Sequence, residues 1–409
     1  MTLSRLIIFI AGTFFALDFR SEAGAYFDEI LSLLACIFSA CYLLVQKRLP
    51  IDVLVWLLPF ALLIFVGTLR GLVGDQTSIE LIVSLLPILI FSVSTIVFAV
   101  LAKREDRLFL LKLVCWISLI AAISTFAQAY IINSNSYDLQ SIRWRMLHLS
   151  LIVLFAFGLC GMLYMKVYLF RFCLMLSISV IFLSLTRTYL VCFVLMLLLA
   201  MLTVPGRKRL GTAVMSVGFI FVFSSLLYLN LEVASAWQTR LFSLSSTGVD
   251  LTLATRLAEA EYQLSLLSAT PINALLGLGF GAESGYGGFF ADIVYATLGE
   301  GSIEDKGISG FGHNMYLGFV YVGGIFGLFC IFRLITLFYA SVKIVMNHMP
   351  LIGAGTNKLL FICMLSLGGI LTYGLAAGMF NIRSSGFVIG MICGLLLSLV
   401  NELKQLSKV

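Results

Sequence analysis

Arg187, Arg256 and His313 combine a residue type and a setting that suit chemistry on phosphate and hydroxyl groups. Arg187 stands in Thr186-Arg187-Thr188, a short polar break between two apolar runs. A guanidinium at the edge of hydrocarbon is costly unless it faces a cavity or a partner, or snorkels to the headgroups. Arg256 lies in a segment of helical spacing, and Glu259, one turn on, is an ordinary ion-pair partner for it. His313 falls in Gly312-His313-Asn314-Met315-Tyr316-Leu317, at the mouth of an apolar stretch. A neutral imidazole there can accept a proton from a sugar hydroxyl or donate a hydrogen bond to a phosphate. The plainer reading is a polar helix start with Asn314 near the cap. His148, close to Arg143 and Arg145, is a candidate for lining the same cavity, or simply a solvated interfacial histidine. His348 lies in a predicted inner loop and reads as incidental. The chain has no HExxH, no GxSxG and no Asp-x-Asp pair in a predicted outer loop, so no metal site is expected and a soluble-type metal transferase or a hydrolase is unsupported.

The elements that must position these residues are apolar. Of 409 residues, 61% are hydrophobic and 11% charged, against roughly half and one quarter in soluble domains, which places the chain in the membrane class. The net charge of +6 is no sign of nucleic-acid binding, because where the basic residues sit matters more than their sum. A spanning helix needs about 20 apolar residues. The candidates are 3–19, 26–46, 51–70, 81–102, 108–132, 147–166, 168–185, 188–204, 210–230, 314–341, 356–378 and 384–402, about twelve in all. Arg5, its apolar run and Ala23-Gly24-Ala25 loosely resemble a signal peptide, but Asp18, Arg20 and Glu22 before the cleavage-like site favour a retained first helix. The cysteines all lie in apolar runs, without CxxC or Cys/His clusters, and read as small hydrophobes.

Orientation follows from the lysines and arginines. With the N-terminus inside, the inner loops carry Lys47 and Arg48; Lys103, Arg104 and Arg107; Lys166 and Arg171; Arg207, Lys208 and Arg209; and Lys343 and Lys358. Every inner loop is then basic, and both termini are cytoplasmic. The outer basic residues are Arg20, Arg70, Arg143, Arg145, Arg187, Arg240, Arg256 and Arg383, with Lys306 the only lysine. Arginine grips phosphate through a planar fork, so this bias suggests an anionic ligand. The alternative for any one of them is pairing with Asp75, Asp138, Glu232 or their neighbours.

The chain divides into 1–230 with nine spans, an outer loop 231–312, and 313–409 with three spans and an inner tail. The spacing predicts a loop helix over 253–268 with Leu257, Ala260, Leu264 and Leu267 on one stripe, ended by Pro271. The glycines that follow, Gly277, Gly279, Gly281, Gly285, Gly287 and Gly288, suit tight turns and close backbone approach rather than a nucleotide site.

In order along 180–335 come five pieces: Ser184-Leu185-Thr186-Arg187-Thr188 in an outer break; a loop helix bearing Arg256; Leu275-Leu276-Gly277-Leu278-Gly279-Phe280-Gly281; His313-Asn314-x-Tyr316-Leu317; and Val322-Gly323-Gly324-Ile325-Phe326-Gly327-Leu328. Their order, spacing and common sidedness resemble the O-antigen ligase and O-antigen polymerase family of bacterial envelope proteins. The first half of the chain matches only in helix count and topology. The resemblance implies an all-α, GT-C-like polytopic membrane fold in the bacterial inner membrane, with one large, partly helical periplasmic loop. It implies inverting, metal-independent and cofactor-free glycosyl transfer on the periplasmic face. The donor would be a glycan on undecaprenyl diphosphate. The acceptor would be the lipid A core for a ligase, or a second lipid-linked repeat unit for a polymerase, and the two are not separable from these residues. By the same resemblance Arg187 and Arg256 hold the diphosphate, and His313 orients or deprotonates the acceptor hydroxyl or assists at the diphosphate. Asn314, Glu259, Tyr316, Arg143, Arg145 and His148 are candidates for lining the acceptor side of the cavity.

Two other classes compete. A transporter or flippase for an anionic lipid-linked saccharide places ionisable residues and broken helices near the bilayer midplane. Here the candidates gather at one face, and the charges within spans, Lys112 and Arg333, lie near inner ends. A structural assembly scaffold would not need the grouping of arginines with a histidine.

Overall fold

The computed structural model describes residues 2–18, 25–45, 50–74, 76–132, 148–164, 168–204, 231–242, 250–298, 308–309, 311–348 and 354–406, with parts of 209–228. Apolar runs become helices because a helix pairs its own backbone groups, which hydrocarbon cannot do for it. The described helices are α1 (Leu3–Ala16), α2 (Ala25–Leu44), α3 (Ile51–Val73), α4 (Ser78–Arg104), α5 (Arg107–Ile132), α6 (Ser150–Tyr164), α7 (Tyr168–Ser184) and α8 (Arg187–Thr203). After the partly described 209–228 come α9 (Leu231–Phe242), α10 (Leu251–Ser268), α11 (Pro271–Leu276) and α12 (Phe289–Leu298). The last four are α13 (Met315–Gly323), α14 (Ile325–His348), α15 (Ala354–Tyr373) and α16 (Arg383–Leu406). Two short strands, β1 (Glu283–Ser284) and β2 (Ile308–Ser309), pair antiparallel with Glu283 opposite Ser309.

Among the described residues, 7 helices are long and apolar enough to cross a membrane: α2, α3, α4, α5, α14, α15 and α16. The chain is therefore an all-α multi-pass membrane protein. The expected count of about twelve is not reached at full length. The apolar helices α1, α6, α7 and α8 have 14, 15, 17 and 17 residues, and 210–230 is described only in part.

The expected single span over 314–341 is a second correction, because Gly324 breaks it into α13 and α14 with φ +54°. The glycine loop after α11 is wedged into the break. Leu278 N–H donates to the Tyr321 carbonyl (2.8 Å) and Gly279 N–H to the Val322 carbonyl (3.1 Å), while Phe280 N–H donates to the Gly67 carbonyl of α3 (3.0 Å). Irregular backbone at such a place is tolerated when protein groups pair it. A Cβ on Gly279, whose φ is +94°, would collide with the Gly71 amide of α3, so close backbone approach is what that glycine provides.

The central seam is α4 against α16. Gly386, Gly390 and Gly394 repeat at every fourth residue of α16, and a Cβ on any of them would overlap a carbonyl oxygen of α4, at Pro87, Phe91 and Thr95 in turn. Small residues at this spacing let two helix backbones touch. Polar contacts mark the two ends of the bundle. Arg5 bonds Glu105 (2.7 Å) and Arg107 bonds Glu402 at one end. Arg383 bonds Asp28 (2.6 Å) at the other. The cysteines are free thiols.

Candidate functional site

The site is built where α8, α10 and α13 begin. Arg187 opens α8 after Leu185, the one described non-glycine residue with positive φ (49°). Such a conformation persists only when its surroundings hold it. Leu185 is fully buried with Phe182, Val233 and Trp237, and the Trp237 indole N–H caps the Phe182 carbonyl at the end of α7 (2.9 Å). Arg187 then reaches Asp250 through both guanidinium nitrogens (2.6 and 3.1 Å). Asp250 in turn accepts from Leu253 N–H (2.9 Å) as the N-cap of α10. This one carboxylate ties the start of α8 to the start of the loop helix. The neighbouring guanidinium and the cap amides hold its pKa below the usual carboxylate range.

The loop helix forms as expected, over 251–268, but it buries a different stripe. Ala254, Ala258, Glu259, Gln263 and Leu267 face inward, while Leu264 is exposed. Two polar residues are buried there because they bond one another's partners. Gln263 Nε2 donates to Ser284 Oγ (3.0 Å), and Ser284 Oγ donates to Glu259 Oε1 (3.0 Å). Glu259 Oε1 also accepts from the His313 backbone N–H (2.9 Å), and Oε2 meets His313 Nδ1 (2.9 Å). Burial pushes the Glu259 carboxyl up to about 7, against the opposing pull of the Ser284 hydroxyl and the Arg256 charge.

The approach of Glu259 to His313 requires a glycine. Gly312 has φ +62°, and a Cβ there would overlap Glu259 Oε1. Asn381, just before α16, clamps the same turn: its Oδ1 accepts from Phe311 N–H (2.8 Å) and its Nδ2 donates to the Gly312 carbonyl (2.8 Å). Asn314 caps α13, accepting from Tyr316 N–H and Leu317 N–H (3.0 and 3.1 Å). The cap reading of Asn314 and the placement of His313 beside other polar groups therefore coexist.

Arg256 does not pair with Glu259 as the one-turn spacing suggests. Its guanidinium has no hydrogen bond or ion pair to any described residue, although it is half-buried. Burial pulls its pKa down, while the nearby Glu259, Tyr286 and Tyr373 raise it. Tyr373, at the end of α15, packs in a tilted arrangement against Tyr189 of α8 (4.8 Å between ring centroids), two residues after Arg187. Arg187, Arg256, Glu259 and His313 thus converge on one end of the bundle.

The other sequence candidates fall elsewhere. Tyr316 donates its hydroxyl to the Leu371 carbonyl (2.6 Å) and braces α13 on α15. His148 is buried, with Nε2 on the Ala16 carbonyl (3.0 Å) and Nδ1 accepting from Ser150 N–H (3.1 Å), so it caps α6 and lines no cavity with His313. Arg143 and Arg145 lie outside the described residues. Arg70 is engaged by Asn273 Oδ1 (2.8 Å) and the Gly277 carbonyl (3.1 Å), holding the glycine loop. Sequence reasoning missed Asp250, Ser284, Tyr286 and Tyr373. Asp250 alone left a readable signal, as an acidic residue in the N-cap position of a helical run. Among the described residues no group of three or more His, Cys, Asp or Glu could hold a metal ion.

No protein-family model matches the chain, and no curated protein matches it significantly.

Proposed function

We propose that the protein is a membrane glycosyltransferase that moves a glycan from undecaprenyl diphosphate to an acceptor hydroxyl, as an O-antigen ligase or polymerase does. The observation that carries this reading is the half-buried Arg256 guanidinium, without a direct hydrogen bond or ion pair to any described residue, beside the His313–Glu259 pair. A fixed cation in a poorly solvated cleft suits a developing anion. In the step, the acceptor oxygen attacks the anomeric carbon and gives its proton to His313. The bond from that carbon to the diphosphate oxygen breaks, and the pair of electrons leaves with the diphosphate, whose charge Arg256 offsets. Arg187 stands less than two turns away along α10 through Asp250, about 9 Å for six residues of helix rise. Attack opposite the leaving group gives inversion, and the diphosphate is already activated, so preorganised positive charge serves in place of a metal.

An apolar groove of about 270 Å³ supports a lipid-linked donor. It runs beside α8 and α15, lined by Leu195, Leu199, Tyr316, Phe338, Leu371 and Leu375. On this reading the site faces the periplasm and both termini the cytoplasm of a bacterial inner membrane, an orientation that the basic inner loops favour. The test uses the purified protein in liposomes with an undecaprenyl-diphosphate-linked glycan, offered lipid A core or a second lipid-linked unit as acceptor. Transfer to one of them, lowered about 10²–10³-fold by Arg256→Ala, is expected. Donor crossing sealed vesicles without covalent product would instead establish a flippase.

A further inference from the structure

Glu259 takes three hydrogen bonds, and their directions can be assigned one by one. Gln263 Nε2 can only donate, so Ser284 Oγ accepts from it and turns its own proton toward Glu259 Oε1. The backbone N–H of His313 also points at Oε1. Oε1 therefore serves two fixed donors, and Oε2 alone faces Nδ1 of the imidazole. Above the Glu259 pKa of about 7 the carboxylate is ionised and accepts only, so there Nδ1 carries the proton and Nε2 is left with a lone pair. Among the described residues Nε2 has no hydrogen-bond partner, and the His313 side chain is 35% exposed. Free imidazole has no such constraint.

We infer that Glu259 is a positioning residue, which fixes His313 in the Nδ1–H tautomer and thereby leaves Nε2 as the atom that takes the acceptor's proton. This assignment rests on the glycosyltransferase reading for the identity of the acceptor, but the tautomer does not. The buried Gln263–Ser284 pair has a role in the same device, since it determines which carboxylate oxygen is spoken for. Glu259 also faces the imidazolium that forms after proton transfer and stabilises it. The arrangement makes a specific demand on an amide at this position. In Glu259→Gln the two donors at Oε1 would claim the amide oxygen and aim its NH2 at Nδ1. The imidazole would then accept at Nδ1 and carry its proton on Nε2, with every hydrogen bond still made and the base removed. Such an amide substitution beside a catalytic histidine acts through the tautomer rather than the fold.

The experiment is ¹⁵N NMR of histidine-labelled full-length protein at pH 8. The chain has only 3 histidines, and His148 serves as an internal reference because Ser150 N–H holds it in the Nε2–H form. His313 is expected as Nδ1–H in the wild type and as Nε2–H in Glu259→Gln, with an unfolding temperature no lower than that of the wild type. Glycan transfer by Glu259→Gln should fall about 10²-fold or more, toward the level of His313→Ala. An Nε2–H signal for His313 in the wild type, or a tautomer that Glu259→Gln leaves unchanged, overturns the inference. A tautomer switch on Glu259→Gln, together with a wild type that transfers no glycan, supports the positioning role and overturns only the glycosyltransferase reading.

Discussion

Two polar clusters occupy the same end of the bundle, and each contains an arginine, a histidine and a carboxylate. The first joins α1, α2, α6 and α16. Arg383 donates to the carbonyls of Phe14 and Leu17, to Ser32 Oγ and to Asp28, and only its Nε lacks a partner among the described residues. His148 uses both ring nitrogens and is 2% exposed. The second cluster joins α8, α10 and α13, where Arg256 makes no hydrogen bond or ion pair to any described residue and His313 uses one ring nitrogen. Asn381 connects the two, holding the Gly312 turn two residues before Arg383. The contrast separates two uses of the same side chains. A saturated cluster fixes helix ends, and an unsaturated one keeps donors and acceptors available for a ligand. Residue type alone would have ranked them equally.

The histidines give the largest expected difference. His313→Ala should lower glycan transfer about 10²–10⁴-fold, the usual contribution of a general base, while costing less stability than His148→Ala because it leaves a single oxygen, Oε2 of Glu259, unpaired. His148→Ala should do the reverse: it leaves the Ala16 carbonyl and the Ser150 amide unpaired, costing about 1–3 kcal/mol for each such group, with turnover per folded molecule retained. Equal losses of turnover in both variants would erase the distinction between the clusters.

The arginines sharpen the same point. Arg383→Ala removes the cation paired with Asp28 and should cost about 3–5 kcal/mol of stability, the range for breaking a buried pair from one side. Arg256→Ala removes a half-buried charge that makes no hydrogen bond to any described residue, so its stability should stay near wild type while transfer falls. Thermal unfolding and transfer assays on the two proteins, measured side by side, check both halves.

Much of this end of the molecule was legible in the sequence, for identifiable reasons. The 7 full-length spans were readable because hydrocarbon demands long apolar helices, and the loop helix because its spacing is local. Asn314 as a cap and the glycines as points of close approach were readable because each depends on its immediate neighbours. The break at Gly324 was not, since it exists only because the loop at 277–280 supplies donors from a distant part of the chain. The partner of Glu259 was misread for the same reason. Arg256 is three residues away in sequence, but Gly312 brings His313 to the carboxylate from 54 residues away. The role of the glycines at 386, 390 and 394 was not read from the sequence, because it depends on α4 lying opposite them.

The carboxylates within the open cluster respond to pH in opposite directions. Glu259 has a folded pKa of about 7, raised from 4.5 by burial. Its contribution to stability is fully present below the ordinary value and is lost as pH rises through about 7. The wild type should therefore lose up to about 3 kcal/mol between pH 5 and pH 8 through this group, and Glu259→Gln should not. Asp250 is lowered from 3.8, chiefly by the Arg187 hydrogen bonds. Its contribution is present above that value and disappears as pH falls through its lower folded value. Unfolding followed from pH 3 to pH 9 in the wild type, Glu259→Gln and Asp250→Asn resolves the two limbs.

The smallest effect concerns Arg187, whose fork is already held by Asp250. Asp250→Asn keeps an N-cap acceptor and removes the counter-charge, so at neutral pH it should cost about 1 kcal/mol. If Arg187 only braces α8 against α10, Arg187→Ala and Asp250→Asn should lower transfer by the same small factor. If Arg187 also receives the diphosphate, Asp250→Asn leaves that cation free for the donor, whereas Arg187→Ala removes it. Arg187→Ala should then fall about 10-fold below Asp250→Asn in kcat/KM, equivalent to about 1.4 kcal/mol of transition-state stabilisation. The gap between the two variants, rather than either loss alone, distinguishes a brace from a ligand. It also decides whether the open cluster presents one arginine to the leaving group or two.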